Sequence, residues 1–341
     1  MRIVRPAGNR MSGLMRVTVK ALFTGLAVMT TACGGGEEPT VAPKESQPVV
    51  TVAPAAVVAV APPVSWGPVG LTQLSDFPTL GFAYRYTTNS DGSNAQGPSV
   101  PDSADVITIS YLAADQSYEV KIPGLERGRL ALVNRNASYS SHSLATSPSR
   151  TFEVVLLSPA AANPEFALEN TSFGWWDDPI YTPIPATLRS NNTGYFAYGV
   201  PTDPGDVPVS GSRTYKAVVS GVTSASAPLD VWYVFGIANL TFDFSKGALT
   251  GNLSLGVNPG GPGQQGYGNF QFASTDYTVG ATRFSGKFSM PGGVEDGFFE
   301  GQFTGPQASE LMVRWLLPQS PPNVGPPGSL FGVLVGKRAN G

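Results

Sequence analysis

Two residue types behind most metal centres and nucleophilic sites are almost missing: the 341 residues contain one cysteine, Cys33, and one histidine, His142. A lone cysteine cannot form an internal disulfide, and with a single histidine it cannot complete a zinc or copper ligand set. Charged residues are also scarce, at 13%. Long helical periods are absent outside the N-terminal stretch, which argues against a helical fold. No nucleophile-elbow sequence accompanies His142, so this polar segment, Ser138 to Ser143, reads as a loop bearing an exposed histidine rather than part of a Ser/His/acid triad. Asp177-Asp178 offers two carboxylates, but neighbours on a strand point apart and Pro179 signals a turn, so a glycosidase pair is not expected. Gly261-Pro262-Gly263-Gln264-Gln265-Gly266 spells a dinucleotide loop, yet a strand rather than a helix follows it, so a hairpin loop is expected. The sequence therefore predicts no enzyme, no cofactor and no metal.

Glycine and proline are abundant, at 40 and 31 residues, and aromatics reach 10%. This composition fits an extracytoplasmic all-β protein with many turns. Residues 1–33 read as a signal peptide. Arg2, Arg5, Arg10, Arg16 and Lys20 precede the apolar run Ala21 to Met29, and Thr30-Thr31-Ala32 lead into Cys33. Met11 and Met15 are alternative starts. The run is shorter than the roughly 20 apolar residues of a membrane span. Small residues before the cysteine resemble a lipobox, which would make Cys33 the lipidated N-terminus; a stray thiol is the other reading. Five of the 21 basic residues and none of the 24 acidic ones precede Cys33, so the remainder carries a net charge of −8. That excludes a basic footprint for nucleic acid and leaves attachment to a membrane to acyl chains. Residues 34–65 form a Gly/Pro/Ala-rich tether with a reach of up to about 100 Å.

Residues 66–170 read as a smaller β-rich region. Val106 to Tyr111 and Tyr118 to Ile122 alternate as a hairpin, with further strands at Phe82 to Thr88, Leu130 to Val133 and Phe152 to Leu157. Residues 171–338 carry the strongest alternation. Leu240, Phe242 and Phe244 share one face, as do Phe284, Gly286, Phe288 and Met290, and Phe299, Gly301 and Phe303. Aromatics interleaved with glycines suit a narrow closed barrel of about eight antiparallel strands in up-and-down order. In Trp175-Trp176 one ring is expected to plug a barrel end and the other to be partly exposed.

The stretch Gly297 to Arg338 resembles the end of the β-barrel domain of the transferrin-binding protein B family of bacterial surface lipoproteins. The matching positions are Gly301, Phe303, Gly305, Pro306, Ala308, Glu310 and Leu311, then Phe331, Gly332, Gly336, Lys337 and Arg338. Thr304 and Met312-Val313 depart from the family pattern. Phe173, Gly174 and Trp176, with Gly199-Val200-Pro201-Thr202 and Pro208-Val209-Ser210-Gly211, extend the resemblance to about half the chain. The resemblance implies a handle-like region ahead of the barrel and a lipid-anchored location on the outer membrane of a Gram-negative cell. It also implies capture of an iron-carrying host protein, haem or a haem protein, or a complement regulator, with a TonB-dependent transporter as a further partner. A structural or adhesive surface lipoprotein is the competing reading, and an integral outer-membrane barrel a third. A filled barrel would leave binding to the handle and the rim loops Pro201 to Ser212, Asn258 to Gly266 and Pro318 to Gly328. Pairing of the last two strands places Glu310 beside Lys337-Arg338.

Overall fold

Eight consecutive strands close on themselves in the C-terminal part of the computed structural model: β11 (Ser212–Ala225), β12 (Tyr233–Asp243), β13 (Ala248–Asn258), β14 (Gln265–Asp276), β15 (Arg283–Ser289), β16 (Gly297–Thr304), β17 (Glu310–Leu317) and β18 (Gly328–Arg338). Each pairs antiparallel with the next, and β11 pairs with β18 from Tyr215↔Arg338 to Ala225↔Gly328. The structure describes residues 75–89, 94–96, 107–112, 114, 117–121, 128–130, 141–147, 150–156, 168–180, 188–225, 233–258, 265–289, 297–318 and 328–339. All lie in the unit Ala61–Gly341. The tether and the region around Cys33 fall outside them.

The two-residue period decides what enters the barrel. Leu240, Phe242, Phe244, Phe284, Phe288, Phe299 and Phe303 all point inward, as their alternation predicts. Ring contacts run from Phe244 to Phe303 at 5.3 Å, to Phe284 at 4.9 Å, to Phe299 at 6.4 Å and on to Phe288 at 5.3 Å. Rings in mutual contact fill the interior. The narrowness explains the interleaved glycines: a methyl group at Gly301 would run into the Phe284 ring.

Ahead of the barrel stand two sheets. The smaller contains β1 (Ser75–Phe77), β4 (Thr108–Leu112), β5 (Ser117–Lys121) and β6 (Gly128–Leu130), in the order β1-β4-β5-β6. The larger contains β2 (Thr79–Asn89), β3 (Asn94–Gln96), β7 (Ser141–Ser147), β8 (Arg150–Leu156), β9 (Thr171–Ile180) and β10 (Leu188–Gly199), in the order β3-β2-β10-β9-β8-β7. The expected hairpin of residues 106–122 is the β4–β5 pair, with Tyr111 opposite Tyr118.

Strands β9 and β10, expected with the barrel, belong instead to the larger sheet, so the barrel begins at Ser212 rather than near residue 171. The reason is burial on both faces. Phe196, Tyr198 and Trp176 pack against Phe77, Ile109 and Tyr118 of the smaller sheet, whereas Tyr195, Ala197, Phe173 and Trp175 pack against the barrel wall. Barrel strand β17 is likewise buried along its whole length. Leu311, Val313, Trp315 and Leu317 enter the barrel, while Met312 and Leu316 lie beneath the larger sheet with Val333, Val335 and Phe331 of β18.

Candidate functional site

Antiparallel order assigns each connection to one end of the barrel. The strand ends Ala225, Tyr233, Asn258, Gln265, Ser289, Gly297, Leu317 and Gly328 lie at one end; residues 200–211, 244–247, 277–282 and 305–309 lie at the other. The three expected rim loops therefore do not share a rim. Pro201 to Ser212 lies opposite the other two, whose residues 259–264 and 319–327 fall outside the described ones.

Nor is Pro201 to Ser212 a free display loop. The Thr202 N–H donates to the Phe303 carbonyl at 3.0 Å, and the Gly305 N–H to the Val200 carbonyl at 2.9 Å. The Thr202 hydroxyl donates to the Gly305 carbonyl at 2.6 Å, and the Gln307 N–H to Asp206 Oδ2 at 2.5 Å. Val207 is buried in the barrel core. The segment is a stopper, held by a turn in which Gly305 has φ 69 and Gln307 and Ala308 both have φ 52. Left-handed angles at two consecutive non-glycine residues are costly. The buried Tyr215 hydroxyl, donating to the Ala308 carbonyl at 2.7 Å, helps hold them.

The family-like Glu310 sits opposite Lys337, in the expected register. Its carboxylate does more than face a cation: it accepts the N–H groups of Glu169 at 2.6 Å and Asn170 at 2.9 Å. Lys337 Nζ reaches Glu169 Oε1 at 3.5 Å instead. Burial raises the Glu310 pKa, with the two backbone N–H groups, Thr171 and Lys337 opposing it. Thr304, a departure from the resembled pattern, shares a buried hydrogen bond of 2.5 Å with Thr171. These residues form the joint between the preceding sheets and the barrel. A second joint lies along the wall, where Arg314 makes a bidentate pair with Glu300 at 3.0 and 2.8 Å. Its guanidinium lies 5.2 Å from the Phe82 ring and 5.5 Å from that of Phe298.

Away from the sheets the outer wall is polar, with Thr250, Asn252, Asn269, Gln271, Arg283 and Lys287 exposed. An apolar interior with a polar exterior reverses the distribution of a lipid-embedded barrel. On β12 the wall changes character. Tyr233 and Ile237 are each 53% exposed, with Phe235 half-buried between them on the same face. Opposite them on β11 are Val222 and Val218, which the larger sheet covers, so the apolar strip begins where that cover stops. The alternation of Leu240, Phe242 and Phe244 was readable in the sequence; that the first half of β12 would leave an apolar face uncovered was not.

The remaining candidates are dispersed. His142 lies on strand β7, opposite Val154, rather than in a loop, because pairing with β8 takes in Ser141 to Ser143 of the polar run. Asp177 and Asp178 lie within β9, which continues through Pro179. Pairing with β8 ends at Asp177, so the missing proline N–H falls beyond the ladder on that side. Trp176 is buried between the two sheets rather than plugging the barrel, and Trp175 is half-buried against its wall. Strand β14 begins at Gln265, within the Gly261–Gly266 pattern, and no helix follows it there. Among the described residues, no three His, Cys, Asp or Glu side chains cluster to hold a metal ion.

No known protein-family model and no curated protein matches the chain. Solved structures with a similar arrangement include a transferrin-binding protein B double mutant from Haemophilus parasuis, at 15% identity and a TM-score of 0.41, covering 75% of this chain and 45% of that one. HpuA from Kingella denitrificans in complex with human haemoglobin gives 15% identity and a TM-score of 0.39, covering 78% and 89%. Transferrin-binding protein B from serogroup B Neisseria meningitidis gives 16% and 0.35, covering 76% and 44%. This chain thus spans less than half the length of the transferrin-binding protein B chains it matches.

Proposed function

We propose that the protein is a surface lipoprotein, anchored to the outer membrane through Cys33, that captures a protein partner on the barrel wall and catalyses no reaction. The observation that carries this reading is the strip Tyr233–Phe235–Ile237, apolar and half exposed on a wall that is otherwise polar. Large rigid side chains grouped at a polar rim are the usual anchors of protein recognition. The filled interior supports surface binding, since packed rings occupy the volume a small solute would need. The sequence resemblance sets the partners to try first: transferrin-like iron carriers, haem and haemoglobin, and complement regulators. Delivery to a TonB-dependent transporter would be the natural next step for an iron or haem carrier.

The test is surface-plasmon binding of these purified partners to the full chain and to a Tyr233→Ser/Ile237→Ser double variant. A partner that binds the wild type and loses at least tenfold affinity for the variant supports the reading. If no iron or haem carrier binds while the protein still mediates attachment to host cells, the adhesive reading replaces it.

A further inference from the structure

The stoppered end of the barrel carries a second constellation, unrelated to the strip on β12. Arg213 lies two residues before Tyr215 on β11, and so on the same, inward face. Its guanidinium lies 5.9 Å from the centre of the Phe244 ring, and its Nη1 is buried with no hydrogen-bond acceptor. Arg338, the last residue of β18, pairs in register with Tyr215, so its side chain leaves the sheet on the face that Arg213 uses, at the same rim. Two cations thus converge on one mouth. Among the described residues neither has an ion-pair partner. Asp206 attracts Arg213 without reaching ion-pair distance, and its Oδ2 already accepts the Gln307 N–H at 2.5 Å. The Tyr215 hydroxyl is likewise engaged, donating to the Ala308 carbonyl.

A buried guanidinium N–H without an acceptor destabilises the fold unless something outside the chain supplies one. Repulsion between the two arginines adds to that cost, and burial draws the Arg213 pKa below the ordinary guanidinium range. We propose that this rim is an anion site, in which Arg213 and Arg338 together take a small oxyanion, either a phosphoryl or a carboxylate group. The planar fork of a guanidinium matches both geometries, and an anion bound between the two side chains would cancel their repulsion. Arg338 is exposed and Arg213 half-buried, so the anion enters from solvent at the rim and does not penetrate the aromatic core.

Isothermal titration of the full chain with inorganic phosphate and, separately, with acetate in low-chloride buffer tests the site. Saturable 1:1 binding is expected, weakened at least tenfold in Arg213→Gln and in Arg338→Gln and unchanged in Arg283→Gln, which alters an exposed arginine on the outer wall. The tighter of the two anions identifies the group the site takes. Arg338→Gln keeps the test informative even if Arg213→Gln misfolds, since Arg338 is exposed. Binding equal in the wild type and both rim variants, or no saturable binding of either anion, overturns the proposal and leaves water as the acceptor for Nη1.

Discussion

At the scale of single residues, Glu310 shows how a family-like carboxylate can serve a joint rather than a ligand. Its two oxygens accept two backbone N–H groups from residues 169 and 170. An amide at this position has only one oxygen, so one of those donors is left unpaired. Glu310→Gln is therefore expected to lose about 1–3 kcal/mol in urea denaturation at pH 7. The pH dependence has a definite sign. Because burial raises the folded-state pKa of Glu310 above its ordinary value of 4.5, the folded state binds the proton first as pH falls. The wild type then gains stability from this group on acidification toward pH 4.5, and the deficit of the glutamine variant widens. A deficit that narrows as pH falls would contradict the assignment. The Arg314–Glu300 pair is asymmetric in a different way, since their side chains are 7% and 40% exposed. Removing the glutamate strands a buried guanidinium, so Glu300→Leu should cost about 3 kcal/mol, whereas Arg314→Met leaves a carboxylate that water can reach and should cost less.

Among the elements, the stopper segment behaves unlike the rim loop that its Pro- and Gly-rich composition suggests. Val207→Ala is expected to cost about 2 kcal/mol by thermal or chemical denaturation, as a buried side chain is shortened by two methyl groups. A neutral result would mean that the segment does not seal the barrel. The strands themselves were legible in the sequence, because one face is apolar and the other largely polar along the second half of β12 and along β15 and β16. Strands β9, β10 and β17 gave a weaker signal. Buried on both faces, they lose the alternation that marks a half-buried strand, and Tyr195 to Tyr198 or Leu311 to Leu317 then read as uniform runs. The expectation of a barrel from residue 171 rests on the resemblance at Phe173, Gly174 and Trp176, and nothing in the weak alternation of β9 and β10 corrects it to Ser212. The strip on β12 was hidden for a related reason: alternation says which residues share a face, and only tertiary packing says whether that face is covered.

On the scale of the whole molecule, the surface proposed for capture is separate from those that hold the fold. Tyr233 and Ile237 are exposed, so their replacement by serine should change stability by no more than about 0.5 kcal/mol each, even where it abolishes capture. Anchoring is separable again. Cys33→Ser should release the protein from membranes into the soluble fraction, and persistence with membranes after a carbonate wash would rule out the lipid at Cys33. The closure of the barrel has a consequence in time as well as in space. Strand β11 pairs with β12 on one side but finds its second partner only in β18, the last of the eight to be made, so no shorter stretch of the barrel can complete the ring. Until then β11 and β17 each present an unpaired edge, and Met312 and Leu316 lack the neighbours Val333, Val335 and Phe331. Long-range pairing of this kind is slow, on the order of milliseconds to seconds, and its open edges invite association with other chains. The half-made barrel is therefore the state in which the chain is most open to association with other chains.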